Sequence, residues 1–181
     1  MKYRHLGALA AATLVTGMLT AQSPADADPG QIVRASGPTF VYDAALADIA
    51  TRVQAVSVPR GGGIKTIVTL DVVGMPAQYV GTTFGAHVHV NACGADPIAA
   101  GGHYASPDVD PSAPLEQREV WLDFTVDETG AGHATVTRPF HIAAGDANSV
   151  VIHAMPTNPV TGAAGARLAC TTVPFGAPSG A

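Results

Sequence analysis

Four histidines are the residues of this chain best suited to chemistry. His87 and His89 lie two apart within an apolar run, so on a strand their side chains would share one face and could bind one ion together. A lone histidine in such a run is more commonly a core residue, but two buried imidazoles on one face need compensation. His103 follows a double glycine, and His153 ends the apolar run 150–152. Imidazole suits both copper and zinc, so the spacing predicts a metal site without naming the ion.

The start of the chain has the features of a secretory signal peptide. Two basic residues precede an apolar run over residues 6–19, and Ala-Asp-Ala at 25–27 supplies a cleavage site before Asp28. A transmembrane anchor is the alternative, but the run is shorter than the roughly 20 residues that a spanning helix needs. We therefore expect residues 1–27 to be removed and the protein to be exported, either to the cell envelope or as a secreted protein. No membrane insertion is expected after cleavage.

The charge of the chain limits its possible partners, and its cysteine content predicts a disulfide. The 181 residues carry a formal net charge of −5, and Lys65 is the single lysine after the leader. An acidic, lysine-poor chain matches neither nucleic acid nor an anionic membrane, so we expect neither as a partner. In an oxidising compartment the two cysteines, Cys93 and Cys170, are expected to form one disulfide that acts as a structural staple.

Hydrophobic alternation of period two, and not the helical period, runs through most of the chain after the leader. Glycine-rich turns such as residues 60–63 separate these runs, and residues 104–117 form a polar, proline-bearing loop. About eight such runs predict an all-β fold, an eight-stranded antiparallel Greek-key sandwich or flattened barrel. The predicted strands lie near 38–43, 50–58, 64–72, 84–91, 118–126, 132–138, 149–154 and 167–173.

The chain after the leader is expected to hold one domain, over residues 38–175. An N-terminal extension, 28–37, precedes it, and a flexible tail, 176–181, follows it. Residues 44–52 could form a helical turn, which leaves one strand boundary open there.

Four segments carry a family resemblance. Gly85-Ala-His-Val-His89, Ala100-Gly-Gly-His-Tyr104, Val150-Val-Ile-His153 and Gly162-Ala-Ala-Gly-Ala-Arg-Leu-Ala-Cys170 resemble the copper-site motifs of the copper/zinc superoxide dismutase family and follow its order. The resemblance spans residues 38–173 and implies an eight-stranded Greek-key barrel, in agreement with the strand count. It also implies superoxide as the substrate and copper as the cofactor.

The resemblance also assigns roles to single residues. Arg167 matches the arginine beside the copper that attracts and orients superoxide. Cys93 and Cys170 match the family's intrasubunit disulfide. The residues that match the four copper ligands are His87, His89, His103 and His153.

The region that supplies zinc ligands in the family differs here. In zinc-binding members the histidine matching His103 bridges copper and zinc, and the following loop adds two histidines and an aspartate. Residues 104–122 contain no histidine, and zinc prefers nitrogen and sulfur ligands, so zinc is not expected. The two remaining histidines of the exported chain, His133 and His141, are expected at surface positions near a turn. The carboxylates that this region offers are Asp108, Asp110, Glu116, Glu119 and Asp123.

The loop before Arg167 is a second departure. The family usually has a long charged loop there, which narrows the channel and supplies an aspartate that joins the copper and zinc ligands. Residues 154–166 are short and uncharged, so the copper is expected to be more open to solvent. Together the two departures resemble the copper-only branch of the family, known from secreted microbial and fungal enzymes.

The resemblance implies a redox cycle that uses His103 and Arg167. One superoxide would reduce Cu(II) and leave as oxygen, and a second would reoxidise Cu(I) to give hydrogen peroxide. His103 is the ligand that would be released and protonated, and Arg167 would guide the anion. Without zinc, the outer nitrogen of His103 needs another partner, because a ligating imidazole normally donates its second N–H. We predict Glu116 or Glu119, and favour Glu119 because it begins the predicted strand 120–124.

Two other functions remain open from the sequence. The same four histidines could serve an envelope protein that sequesters or delivers copper with little turnover, although such a protein has no need of Arg167. A metal-free Greek-key interaction domain would leave the histidines unexplained. The sequence has no long apolar stretch that would indicate a subunit interface, so we expect a monomer.

Overall fold

Antiparallel β-strands make up most of the regular structure. The computed structural model describes residues 32–176, in which the helical elements are short turns at Ala44–Leu46, Ala77–Tyr79 and Pro97–Ala100 and one helix, α1 (Leu115–Arg118). No helix in this described part is long and apolar enough to cross a membrane. The strands are β1 (Ile32–Gly37), β2 (Phe40–Val41), β3 (Ala50–Arg60), β4 (Gly63–Val73), β5 (Thr83–Phe84), β6 (Ala86–His89), β7 (Phe124–Thr125), β8 (Gly132–Arg138), β9 (Ser149–His153) and β10 (Arg167–Thr172).

Two four-stranded sheets enclose one hydrophobic core. The first has the order β1-β3-β4-β8 and the second the order β2-β10-β9-β6, while β5 and β7 form a separate pair. All paired strands are antiparallel. Along β4 every second side chain is buried, as the alternation predicts, and β6 and β9 are buried along their whole length. The predicted all-β Greek-key fold is confirmed.

The chain enters the first sheet earlier than the sequence predicted. Residues 28–37 were expected to form an extension, yet Ile32–Gly37 is β1 and pairs with β3 from Ile32 opposite Val56 to Gly37 opposite Thr51. Val33 is the one side chain of β1 buried in the core, and its other residues are half-buried or exposed. A strand with one buried residue gives too little alternation for detection. The predicted signal peptide, 1–27, and most of the predicted tail, 176–181, lie outside the described residues.

The predicted strand 118–126 is broken where it passes the histidines. Its start belongs to α1, Glu119 and Trp121 make isolated bridges with Ala105 and His87, and regular pairing resumes in β7. Side chains nevertheless alternate along this segment, because Val120 and Leu122 are buried in the core while Trp121 and Asp123 are half-buried. This segment serves as one wall of the site described next. The helical turn expected within 44–52 is present at Ala44–Leu46, capped by the Asp43 carboxylate, which accepts from the Ala45 N–H.

Candidate metal centre

Three of the four histidines lie on two neighbouring strands. β6 carries His87 and His89, and β9, which pairs with β6, ends at His153. All three are buried among the strands of the second sheet. His103 comes from the loop after Pro97–Ala100, and its backbone bridges to that of His89. Its side chain is 20% exposed, so it forms the solvent side of the group.

The four rings converge on one point. One nitrogen from each ring lies within 4.8 Å of the others, and in residues 32–176 this is the one group of three or more metal-binding side chains so arranged. His87 Nδ1 lies 2.9 Å from His103 Nε2, and His89 Nε2 lies 3.3 Å from His153 Nε2. The sequence spacing predicted a shared face for the first pair, and the fold adds the other two histidines to it.

The second nitrogen of every ring faces an oxygen. His89 Nδ1 donates to the carbonyl of Gly101 (3.1 Å), and His153 Nδ1 donates to that of Gly165 (3.3 Å). His103 Nδ1 lies 2.8 Å from Glu119 Oε2, and His87 Nε2 lies 2.6 Å from the hydroxyl oxygen of Thr157. An oxygen acceptor fixes the proton on the outer nitrogen, so the inner nitrogen keeps its lone pair. Four lone pairs then face one another, an arrangement that a metal cation satisfies.

The three buried histidines are neutral at neutral pH. Burial is the largest cause that lowers the pKa of His87 to about 2, that of His89 to about 3 and that of His153 to about 4. Neighbouring histidines lower all three pKa values further, and the positive charge of Arg167 does the same for His89 and His153. Neutral imidazole is the form that binds metal, so no proton competes for these nitrogens near pH 7.

Glu119, and not Glu116, lies against His103. Glu119 is buried, and its Oε2 accepts a second hydrogen bond, 2.7 Å from the indole N–H of Trp121. Glu116 is exposed on α1, beside Arg138 in a surface groove. The sequence pointed to Glu119 but gave no indication of Trp121, because an isolated tryptophan in an apolar strand is ordinarily a core residue.

A hydroxyl and a carboxylate support His87. Asp123 accepts from the Thr157 hydroxyl (2.6 Å) and the Thr157 backbone N–H (2.8 Å), whereas its nearest oxygen is 3.9 Å from His87 Nε2. Since the Thr157 hydroxyl donates to Asp123, it accepts from His87. The short loop 154–166 thus reaches the histidines through a threonine. Sequence reasoning missed Thr157 because a threonine in an uncharged loop has no distinguishing pattern.

Arg167 is fixed beside the buried histidines. It begins β10 opposite His153, and its guanidinium donates to the carbonyls of Pro97 (2.7 Å) and Gly101 (2.5 Å). The Gly101 carbonyl therefore accepts from both Arg167 and His89. These two contacts hold a permanent positive charge next to the group.

A disulfide between Cys93 and Cys170 joins the loop after β6 to β10. That loop also contains the two carbonyls that hold Arg167. The pairing is the one expected for two cysteines in an exported chain.

The remaining candidate ligands lie apart from the four histidines. His133 is exposed on β8 and pairs with Asp71 at 2.7 Å, while His141 is half-buried near the hydroxyl of Ser57. His141 was expected at the surface, but its side chain is half-buried where it contacts Ser57 of β3. The carboxylates of residues 104–117, Asp108, Asp110 and Glu116, do not join the group.

A Greek-key sandwich that brings four imidazoles together at one edge is the framework of a histidine metalloprotein. A family model described as copper/zinc superoxide dismutase (SODC) matches residues 52–173, which is most of the chain. The chain therefore belongs to the copper/zinc superoxide dismutase family, as the motifs led us to expect.

The fold is also similar to a solved structure. The crystal structure of the clock protein EA4 covers 81% of this chain and 95% of its own, with 18% identity and a TM-score of 0.56. At that identity the likeness concerns the fold alone. No curated protein matches the chain.

The donor set fits copper. Four imidazole nitrogen donors, without thiolate or carboxylate, are well suited to an ion that alternates between Cu(II) and Cu(I). The residues that would hold it are His87, His89, His103 and His153.

Proposed function

We propose that the protein is an exported, copper-dependent superoxide dismutase without a zinc site, which converts superoxide to oxygen and hydrogen peroxide. The observation that carries the proposal is the convergence of four imidazole rings. The inner nitrogens of these rings face one another, and each outer nitrogen contacts an oxygen atom. Copper bound there would supply the one-electron exchange with superoxide. Family membership supports this chemistry, and the contacts of Glu119 support the absence of zinc.

Arg167 would attract and orient the anion. The whole chain carries a net charge of −5, so a diffusing superoxide meets overall repulsion and needs a local positive charge. The guanidinium is always charged, and its two bonds to backbone carbonyls prevent it from swinging away from the histidines. A protein that merely stores copper gains nothing from this arrangement.

His103 would move the proton. It is the one member of the group that lies outside a β-strand and reaches solvent, so it can be released while the three buried histidines stay in place. Released, its Nε2 would take up a proton and donate it to the reduced substrate. Glu119 would retain the Nδ1 end of the ring throughout.

Glu119 would replace zinc as the partner of His103. In zinc-binding relatives the nitrogen corresponding to Nδ1 of His103 binds the second metal, as the resemblance implies. Here Nδ1 faces a buried carboxylate oxygen at 2.8 Å, which leaves no lone pair for zinc. We further propose that residues 1–27 are a signal peptide removed on export, since the disulfide fits an oxidising compartment.

Metal analysis with a turnover measurement tests the function. Pure protein exposed to both copper and zinc should contain one copper and no zinc per chain and should disproportionate superoxide, more slowly at high salt because Arg167 is screened. Full copper without turnover would favour a copper-sequestering protein instead. One ion of each metal would contradict the zinc-free site, and the absence of copper uptake would reject the proposal altogether.

Replacing Glu119 by glutamine is expected to slow turnover by about 10–100-fold at saturating copper, the usual effect of losing the partner of a metal ligand. One copper per chain should remain bound, because all four histidines are retained. Glu116→Gln is the matched control, since it makes the same chemical change on the exposed helix α1. Equal turnover in the two variants would show that Glu119 has no part in the reaction.

A further inference from the structure

Trp121 donates its indole N–H to the same oxygen of Glu119 that faces His103. The two distances to Glu119 Oε2 are 2.7 Å from Trp121 Nε1 and 2.8 Å from His103 Nδ1. Glu119 and Trp121 are two apart on an extended segment, so their side chains share a face, while Val120 and Leu122 occupy the opposite face in the core. The extended backbone therefore places the indole N–H and the carboxylate on the same face of this segment.

Both hydrogen bonds to Glu119 have a direction set by the chemistry of the groups. An indole N–H can only donate, so Glu119 Oε2 accepts from Trp121. A carboxylate oxygen accepts, so at 2.8 Å His103 Nδ1 is the donor of the second bond. The proton of His103 is thereby placed on Nδ1, and the lone pair on Nε2 points at the other three histidines.

The tryptophan also restricts the carboxylate. The terminal torsion of glutamate is broad, so a carboxylate with one partner can rotate away from it. Trp121 is tied to the site by a second contact, because its backbone bridges to His87 and its ring lies 6.1 Å from the His87 ring. A donor anchored in this way holds Oε2 in place even when His103 leaves.

We propose that Trp121 is a positioning residue for His103: its indole N–H anchors Glu119, which keeps the proton on His103 Nδ1 and aims Nε2 at the metal position. The proposal deepens the proposed function and rests on it for its catalytic meaning. Its physical content, however, concerns the metal-free protein and can be measured there.

The first experiment uses Trp121→Phe, which removes the N–H and keeps an aromatic ring. Nitrogen-15 NMR of the histidine rings in metal-free protein should show His103 protonated at Nδ1 in the wild type and as a mixture of tautomers in the variant. Copper affinity, measured by competition with a chelator, should fall by about tenfold, at the lower end of the range for partners of metal ligands. Tyr79→Phe, which removes the hydroxyl of an aromatic residue packed on Phe84, should change neither quantity.

A double variant tests whether Trp121 acts through Glu119. If it does, Trp121→Phe combined with Glu119→Gln should bind copper no more weakly than Glu119→Gln alone. Additive losses of affinity would overturn the proposal, as would a wild-type tautomer and affinity in Trp121→Phe.

The indole proton provides a test that needs no change of Trp121. The chain has one tryptophan, so its indole N–H gives one resonance. Glu119→Ala should shift that resonance and speed its exchange with solvent, and an unchanged signal would overturn the proposal. If the wild type binds no copper or shows no turnover, the proposed function fails, while the tautomer and the indole signal still decide whether Trp121 positions His103.

Discussion

His89→Gln is expected to weaken copper binding by more than about 100-fold, beyond the loss that follows removal of a mere partner of a ligand. His89 is fully buried and points Nε2 at His153, so the glutamine would sit in the same place without an imidazole lone pair. Superoxide turnover should vanish with the copper. A chelator competition titration followed by a turnover assay measures both quantities.

Stability provides a second readout of the same variant. Copper at about 1,000 times its Kd should stabilise the wild type by about 4 kcal/mol, because it binds the folded state alone, and should stabilise His89→Gln far less. The matched control is His133→Gln, since His133 is exposed on β8 and contacts Asp71. A variant that binds copper as tightly as this control would show that His89 is no ligand.

Removing the disulfide should have the largest effect on folding. The bond closes a loop with a sequence separation of 77, so Cys93→Ala with Cys170→Ala is expected to lower the free energy of unfolding by about 4–5 kcal/mol. Turnover at low salt should fall as well, because the loop tied by Cys93 carries the carbonyls of Pro97 and Gly101 that hold Arg167. Denaturant unfolding and salt-dependent turnover measure the two effects.

Reduction of the wild-type disulfide should lower the free energy of unfolding by a similar amount. The same reductant should not change the free energy of unfolding of the double variant, which has no disulfide to reduce. A free energy of unfolding within about 1 kcal/mol of the wild type would contradict the assignment of the disulfide as a main stabilising bond. If turnover of the double variant depends on salt as strongly as turnover of the wild type, Arg167 keeps its position without the disulfide.

The parts of the site on strands could be predicted from the sequence. The spacing of His87 and His89 gives a shared face by geometry alone, and the alternation of β4 gives the sandwich. Residue-by-residue resemblance then gave His103, His153 and Arg167 their expected roles. Glu119 could be anticipated because the loss of zinc histidines leaves His103 Nδ1 in need of an acceptor.

The missed contacts depend on loops and on backbone atoms. Thr157 reaches His87 through the path of the loop 154–166, which no periodicity encodes. Trp121 is half-buried on the face away from the core, and no sequence pattern shows that its indole N–H donates to Glu119. β1 escaped detection because a single buried residue, Val33, gives no period. In each case tertiary placement, and not local pattern, decides the role.

The outer partners of the four histidines divide into two kinds, with a consequence for how the site can change in evolution. His87 and His103 contact the side chains of Thr157 and Glu119, so a substitution at either position can change the hydrogen bond of one histidine alone. His89 and His153 donate to backbone carbonyls, which no substitution deletes.

Those carbonyls belong to Gly101 and Gly165, which have φ values of +72° and +78°. A side chain at Gly101 would approach Val90 to 2.7 Å, and one at Gly165 would approach Met155 to 2.9 Å. Selection on half of the metal site is therefore expected to act on two residues that have no side chain and offer no ligand.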